Sequence, residues 1–435
     1  MDTRIFSPLL YQLSYLALSN KVLTQKAVAI YGQSFRAVKT RSRVESSRQS
    51  IRALVIGQEA LLSNGGARTR IAAPAAASFC VIPGMAFSLD RLIRKDLTLD
   101  PGSVHTTLLS RSHGIAHRDL TRIALFAPRV TAGSGYTQVL GYGRDLAGRK
   151  IRRPGVRIVA PVEHGLLADP QALHLLVETL LRQLDFQPGF SFAATTRIAV
   201  VLPAQLNERD FARFQEFADD LGGSKPLLLE APYAAAAGLG IDISANRGRL
   251  LVDIGGGKTY AALFSLGGLA TYGWAPFGGE DVTAAVMRFV SQRRQIGLPW
   301  LAAEKIKHGI GSVYPREQLQ SLTVSGPDVR TGFEKKAIVD DNELRDVLID
   351  ACEPLVMAIQ RTLSGIPAEL AGDLEAEGAV LYGGGALLYG LADFLTERIG
   401  LPFRIAEDPI NVTIRGAQAL LLKSLDAPAG RPERR

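Results

Sequence analysis

Asp253 is the residue around which chemistry can be built. It follows the apolar run Leu250–Val252 and precedes Gly255, Gly256 and Gly257, then Lys258 and Thr259. A second apolar run extends from Tyr260 to Leu266. A glycine turn between two apolar runs predicts a β-hairpin. With no Cβ in the way, such a turn lets backbone N–H groups approach an anion closely. A carboxylate at the strand end is then placed to hold a metal-bound water near phosphates. The letters GGGKT do not make a P-loop, because that pattern needs an earlier glycine where this chain has Val252. An ordinary hairpin fits the same letters, so the case turns on whether the device recurs.

It recurs at residues 96–110. Leu97 and Leu99 alternate with polar residues, Asp100 ends the strand, and Pro101, Gly102 and Ser103 make the turn. Thr106–Leu109 then start a second strand. Two such hairpins can clamp the phosphates of one nucleotide from opposite sides, with Mg2+ neutralising charge between them. Asp100 and Asp253 are the candidate metal-facing carboxylates, acting through water. A third glycine turn, Gly383–Gly385, enters an apolar segment read as a helix over Leu387–Ile399. It can lie against a nucleobase, ribose or phosphate; close helix–strand packing explains the same glycines.

Other elements bring further candidates. Glu230 ends the strand LLLE and precedes a small-residue helix entered through Pro232, a favoured first-turn position. That helix directs Glu230 toward the space between the hairpins. Gly278 and Gly279 precede a helix with Glu280 and Asp281 in its first turn, where acids suit the dipole. Glu304 and Lys307 lie one turn apart on a predicted helix in 302–315; a solvated helix contact is the plain reading. Phe211, Phe214 and Phe217 read as one core-facing stripe of a helix over Asn207–Leu221.

Composition bounds the class. The chain has 435 residues, 47% apolar and 21% charged, as for a globular protein of two to three domains. Residues 1–84 hold 11 Lys/Arg against 3 Asp/Glu, an excess of 8 that equals the net charge of +8. The rest is neutral, so the charge does not argue for nucleic acid as a partner. Only Cys80 and Cys352 are present, far apart, which argues against a disulfide framework or a Cys-based metal site and fits a reducing compartment. No run of about 18 apolar residues predicts a spanning helix.

Residues 1–84 read as a basic extension, either a targeting peptide or sequence upstream of a natural start at Met85. Residues 85–95, MAFSLDRLIRK, place Phe87, Leu89, Leu92 and Ile93 on one helical face flanked by Arg91, Arg94 and Lys95. Such a helix suits an anionic membrane surface or packs into a core.

Three glycine turns in this order, two of them Asp-led hairpins, resemble the actin/Hsp70/sugar-kinase ATPase superfamily. Within it, the pattern GGGALL…GL…AEDP…RG in 378–420 resembles the MreB family of bacterial rod-shape actins. AEKIKHGIGSVYP resembles that family's nucleotide-contact helix, DIGGGKT…SLGG its second phosphate hairpin, and LTLDPGSVHTTLL its first. The resemblance covers about residues 85–425. It implies an α/β, actin-like two-domain ATPase fold, each large domain a mixed sheet flanked by helices, with small inserted subdomains. Domain I would span 96–245, with a small subdomain near 127–160. Domain II would span 246–395, with one near 290–345. Residues 396–425 would return to domain I, and 426–435 would be a polar tail.

Carried over by position, Asp100, Gly102, Ser103, Val104, His105 and Thr106 would cradle phosphate. Gly255, Gly256, Gly257, Lys258 and Thr259 would form the opposing loop with Asp253. Gly278, Gly279, Glu280, Glu304, Lys307, Gly383, Gly384, Gly385, Ala386 and Leu387 would hold the nucleoside. The implied cofactors are ATP and Mg2+. The implied role is a membrane-associated filament at the inner face of the plasma membrane that organises cell-wall synthesis and cell shape. Its implied partners are further copies of itself, an anionic membrane and membrane proteins of the cell-wall elongation machinery.

Four departures bear on this. Pro101, Ser103 and His105 stand where the family usually has Leu, Thr and Asn, and Pro101 removes an N–H from the loop. Lys258 and Tyr260 replace Thr and Glu; Lys258 either adds a point charge at the phosphates or faces solvent. Ala231 stands where the family has the Glu that orients the attacking water, leaving Glu230 or Asp253 as substitutes. Slow hydrolysis follows. The alternative is a degenerate paralogue that modulates other filaments. A sugar kinase would need a substrate pocket with its own base, for which no motif is present.

Overall fold

The computed structural model describes residues 95–424 apart from 112–113, 128–135, 137, 147–153, 185–195 and 223–225. The basic extension, the tail and residues 85–94 of the expected membrane helix lie outside the described residues; Lys95 already belongs to a strand.

Two five-stranded sheets carry the chain. The first uses β1 (Lys95–Pro101), β2 (His105–Ser110), β3 (Gly114–Leu120), β9 (Thr196–Leu202) and β10 (Leu227–Glu230), in the order β10-β9-β1-β2-β3. The second uses β11 (Arg249–Ile254), β12 (Thr259–Ser265), β13 (Gly268–Ala275), β16 (Ala379–Tyr382) and β17 (Phe403–Ile405), in the order β13-β12-β11-β16-β17. Each begins with an antiparallel three-strand meander and adds two parallel strands beside its first strand. The same topology is used twice. The inner parallel strands β9 and β16 are buried at every residue, as a sheet covered on both faces requires.

Helices supply the cover. On the first sheet, α1 (Pro170–Gln183) and α2 (Glu208–Asp220) pack Leu173, Leu176, Phe214 and Phe217 into a core with Leu97, Leu99 and Ile198. Phe211 departs from the expected stripe and is 40% exposed. Three-residue steps drift around a helix with 3.6 residues per turn, so the buried set is Phe214, Phe217 and Ala218. Between the sheets lie α3 (Ala231–Gly238) and α9 (Val412–Lys423), whose alanines, Val412 and Leu421 meet Val201 from one sheet and Val380 from the other. On the far side of the second sheet, α4 (Gly279–Arg294), α5 (Trp300–Ile310), α6 (Asp341–Ser364), α7 (Ala368–Glu377) and α8 (Leu391–Ile399) enclose a core around Val286, Ile306, Leu348 and Leu381.

Smaller sheets attach to this frame. β4 (Ile123–Phe126), β5 (Gln138–Tyr142) and β6 (Val156–Val159) form a three-stranded sheet. β7 (Val162–Glu163) and β8 (Leu166–Leu167) form a short hairpin, and β14 (Ser321–Pro327) pairs with β15 (Glu334–Asp340).

Two boundaries differ from expectation. The chain does not leave the second sheet at 396: β17 pairs with β16, and only α9 crosses back. The segment after Gly383 is a 3-10 turn, Gly384–Leu387, not the start of a helix. Gly390, with φ of 73°, breaks the run, and α8 starts at Leu391.

Candidate functional site

The two Asp-led hairpins meet at their tips. In the first, Gly102 N–H donates to His105 O at 3.1 Å, and the Thr121 hydroxyl donates to Gly102 O at 2.7 Å. In the second, Gly255 N–H donates to Lys258 O at 3.0 Å. A Cβ on Gly256 would lie 2.2 Å from Val104 Cγ2, and one on Gly257 would lie 3.2 Å from Ser103 Cβ. The β7–β8 turn sits on both tips: His164 Nδ1 bonds Gly257 O at 2.8 Å, and Gly165 N–H donates to Ser103 Oγ at 2.9 Å.

Asp100 and Asp253 come close enough behind these tips to act on each other electrostatically. Burial pushes the Asp100 carboxyl up to about 6, with the Arg118 charge pulling it down in part. Burial pushes Asp253 up to about 7; a hydrogen bond from Tyr260 and the Lys258 charge oppose this, and Asp100 adds to it. Tyr260 lies directly opposite Asp253 in the hairpin, and its hydroxyl accepts from Tyr382 at 3.2 Å. Two adjacent, desolvated carboxylates suit a divalent cation completed by waters and phosphate oxygens. Among the described residues no group of three or more His, Cys, Asp or Glu could hold a metal by itself. Any Mg2+ here would therefore depend on water and ligand oxygens.

The glycines of the third turn press on the same strand. Gly383 has φ of 83°, and a Cβ there would come within 2.3 Å of Asp253 Oδ1 and 2.5 Å of Ile254 O. Gly385 approaches Ile254 as closely, whereas nothing approaches a Cβ on Gly384. Ala386 is buried and Leu387 is 55% exposed, so the predicted nucleoside contacts divide between core and surface. At Gly278 a Cβ would meet Gly256 O at 2.4 Å, and Gly279 and Glu280 N–H groups donate to Gly255 and Gly256 carbonyls. This ties the α4 N-terminus to the second hairpin. Thr259, expected on the phosphate loop, is buried and donates to Phe277 O at 2.9 Å. Thr106 is likewise buried, its hydroxyl 3.0 Å from that of Thr121. Both brace the hairpins from behind.

Glu304 and Lys307 form a part-buried ion pair rather than a solvated one, each with side-chain exposure of 13%. Lys307 also donates to Thr283 Oγ1 at 2.9 Å and to Gly279 O at 3.1 Å, anchoring α5 to the first turn of α4. Burial alone would raise Glu304, but hydrogen bonds from His308, Lys307 and Thr283 and the Lys307 charge bring it down to about 2. His105 is pushed down to about 4 by burial and by the Arg118 and Arg144 charges, against the pull of Glu304 and Asp119. It therefore stands neutral near pH 7. Glu280 accepts from Arg122 at 3.1 Å, an ion pair joining the α4 N-terminus to the β3–β4 connection. Glu230 occupies the N-cap position of α3 without capping it, and burial raises its carboxyl. Burial, with the Asp253 and Glu230 charges, raises the Tyr272 hydroxyl, and Ala231 is buried next to Glu230.

Several neighbours of the site were missed from sequence: Arg118, Arg122, His164, Gly165, Tyr382 and Asn411. Arg118 donates to Asn411 Oδ1 at 3.2 Å across 293 residues of chain. His164–Gly165 carried a signal, a glycine immediately before the apolar pair Leu166–Leu167.

The family model described as MreB/Mbl protein matches residues 94–427. The cell shape-determining protein MreB of Escherichia coli (strain K12) is 30% identical over 326 residues, 75% of this chain and 92% of that relative. The cell shape-determining protein Mbl of Bacillus subtilis (strain 168) is 26% identical over 331 residues, 76% and 96% of the two chains. The crystal structure of MreB5 of Spiroplasma citri bound to AMPPNP superposes with a TM-score of 0.69 at 24% identity, covering 77% of this chain and 98% of that one. The MamK double helical filament gives 0.59 at 19%, covering 75% and 98%. The fold with its paired sheets is therefore actin-like, and the chain belongs to the MreB/Mbl family.

Proposed function

We propose that this chain is an actin-like cytoskeletal protein that binds ATP with Mg2+ and polymerises into membrane-associated filaments. By organising cell-wall synthesis at the inner face of the plasma membrane, it helps determine bacterial cell shape. The observation that carries the reading is the meeting of the Asp100 and Asp253 hairpins around one pair of carboxylates. Backbone N–H groups at the hairpin tips, those of Ser103 and Val104 in one and of Gly256 and Gly257 in the other, bind the phosphates, while the Gly102 and Gly255 N–H groups close the turns. Gly383, Gly384 and Gly385, with Gly278 and Gly279, border the nucleoside. Asp100 and Asp253 would hold Mg2+ through water, and that ion would supply positive charge to the bound phosphates. The family membership, the AMPPNP-bound MreB5 and the filamentous MamK support nucleotide binding and self-association.

Nucleotide acts here by favouring one closure of the two sheets over another, a population shift that changes subunit contacts. Hydrolysis is slow, because Ala231 offers no carboxylate to orient water and Glu230 is the neighbouring acid. Pelleting with ATP against ADP, read beside phosphate release, tests the reading. Pelleting without fast phosphate release is expected. A chain that neither pellets nor binds nucleotide would refute it in favour of the degenerate paralogue, the second reading that Ala231 favours. Membrane attachment is assigned to residues 85–95. Leu92→Glu is expected to abolish liposome binding, and unchanged binding would refute that assignment.

A further inference from the structure

We propose that Tyr260 and Tyr382 are positioning residues for the cation that accompanies bound nucleotide: a chain of two hydroxyls, Tyr382 to Tyr260 to Asp253, fixes the direction in which the Asp253 carboxylate faces the cleft. The inference rests on the nucleotide reading above and deepens it, by naming the side chains that hold the metal-facing carboxylate in place.

The second sheet sets the row. On β11, Asp253 pairs with Tyr260 of the antiparallel strand β12 and with Tyr382 of the parallel strand β16. Paired residues present their side chains to one face of a sheet, so the carboxylate is flanked by two phenols. Tyr260 hydrogen-bonds the Asp253 carboxyl, and the Tyr382 hydroxyl donates to the Tyr260 oxygen at 3.2 Å. A hydroxyl has one proton to donate and lone pairs with which to accept. Accepting from Tyr382 therefore leaves the Tyr260 proton for Asp253. Burial and the Asp253 charge hold both phenols well above their usual range, so each keeps its proton near neutral pH.

The rings are confined by their neighbours. Tyr260 is 4% exposed and Tyr382 is fully buried. Tyr272 stacks on the Tyr260 ring with centroids 5.9 Å apart at 29°, and Tyr382 meets the same ring edge-on at 6.4 Å and 75°. The third glycine turn confines Asp253 as well, since a Cβ on Gly383 would collide with its Oδ1. The carboxylate is thus set by its own strand, by a backbone turn against one oxygen and by a phenol whose hydroxyl is itself held.

The chemistry follows from that fixing. A carboxylate free to rotate presents its oxygens to a cation's water only part of the time, and ordering it then subtracts from affinity. Hydrogen bonds from outside the metal's own ligands orient such a group in advance. If the phenols only filled the core, rings without hydroxyls would serve equally well. Tyrosine-to-phenylalanine changes separate the two roles, because they remove the hydroxyl and keep the ring.

Calorimetric titration of the full chain with ATP, in excess MgCl2 and in excess EDTA, tests this. Tyr260→Phe is expected to weaken binding about tenfold in MgCl2, the effect of removing a partner that orients a metal-facing carboxylate, and to leave binding in EDTA unchanged. Tyr382→Phe shows a smaller loss in MgCl2 alone, and it carries the same test should Tyr260→Phe fail to fold. On an Asp253→Asn background the Tyr260→Phe loss disappears, because a residue that acts through Asp253 has nothing left to position. A loss of equal size in both buffers, or one that persists with Asp253→Asn, marks a packing role and overturns the proposal. So does a Tyr260→Phe variant that binds as tightly as the parent in MgCl2. A parent that binds ATP equally well in the two buffers overturns the cation and the proposal but leaves nucleotide binding intact. Absence of parent binding in both buffers overturns the nucleotide reading and this inference with it.

Discussion

Replacing Asp253 by Asn should stabilise the nucleotide-free protein above neutral pH while weakening its hold on nucleotide. The fold raises this carboxyl from 3.8 to about 7, chiefly through burial. A group whose folded value lies above its unfolded value favours the fold while protonated. That contribution is present in full below pH 3.8 and is lost as the pH climbs through about 7. At about 1.4 kcal/mol per tenfold change in proton affinity, ionising Asp253 disfavours the fold by about 4 kcal/mol as an upper bound. Water entering the cleft on ionisation lowers this, so about 2 kcal/mol is the expected gain for Asp253→Asn above pH 7. Urea unfolding of parent and variant without nucleotide, across a pH series, reads the difference directly. The midpoints should coincide in acid and separate by on the order of 0.5 M urea or more above neutrality. Titrating groups that do not feel the Asp253 charge are shared by the two proteins and cancel; Asp100, which does, shifts with it. Parallel curves with no gain at high pH would show that the carboxylate is already balanced, and the account of a charge-strained cleft would fail.

Three further perturbations follow from the geometry. Gly416→Ala places a Cβ 1.7 Å from Ala234 O at the crossing of α9 and α3. Overpacking against rigid backbone costs about 3 kcal/mol and better helix propensity returns about 1 kcal/mol, so thermal and urea unfolding should show a net loss of about 2 kcal/mol; an unchanged midpoint would contradict the close crossing. Gly383→Ala forces a side chain into a glycine-only backbone region at a cost of about 1–3 kcal/mol and pushes on Asp253, so both stability and ATP affinity should fall together in unfolding and titration experiments. Ala231→Glu restores a carboxylate beside Glu230 and should raise phosphate release by about a hundredfold; no increase would move the water-orienting role away from this position.

The two hairpins were legible because everything that makes them is local. Alternation in Leu97–Leu99, the apolar run Leu250–Val252 and the glycine turns that follow need no distant partner to be recognised. The helix read over Asn207–Leu221 was legible for the same reason and forms over Glu208–Asp220. The turn after Gly383 was misread because its letters are equally those of a helix start, and the backbone conformation of Gly390 decides the break. Phe211 was misread because a three-residue spacing only approximates the helical turn.

What the sequence by itself determined is a pair of strand–Asp–glycine devices and amphipathic helices such as the one over Asn207–Leu221. Each is written in neighbouring residues, where backbone propensity and side-chain period act. What only the tertiary structure decided is which groups share one space. Parallel pairing sets β1 beside β9 and β11 beside β16, and α3 and α9 hold the two sheets together. Those long-range contacts bring Asp100 to Asp253, Arg118 to Asn411 and Arg122 to Glu280. Their partners lie far apart along the chain, and burial, not local pattern, sets the charges they carry.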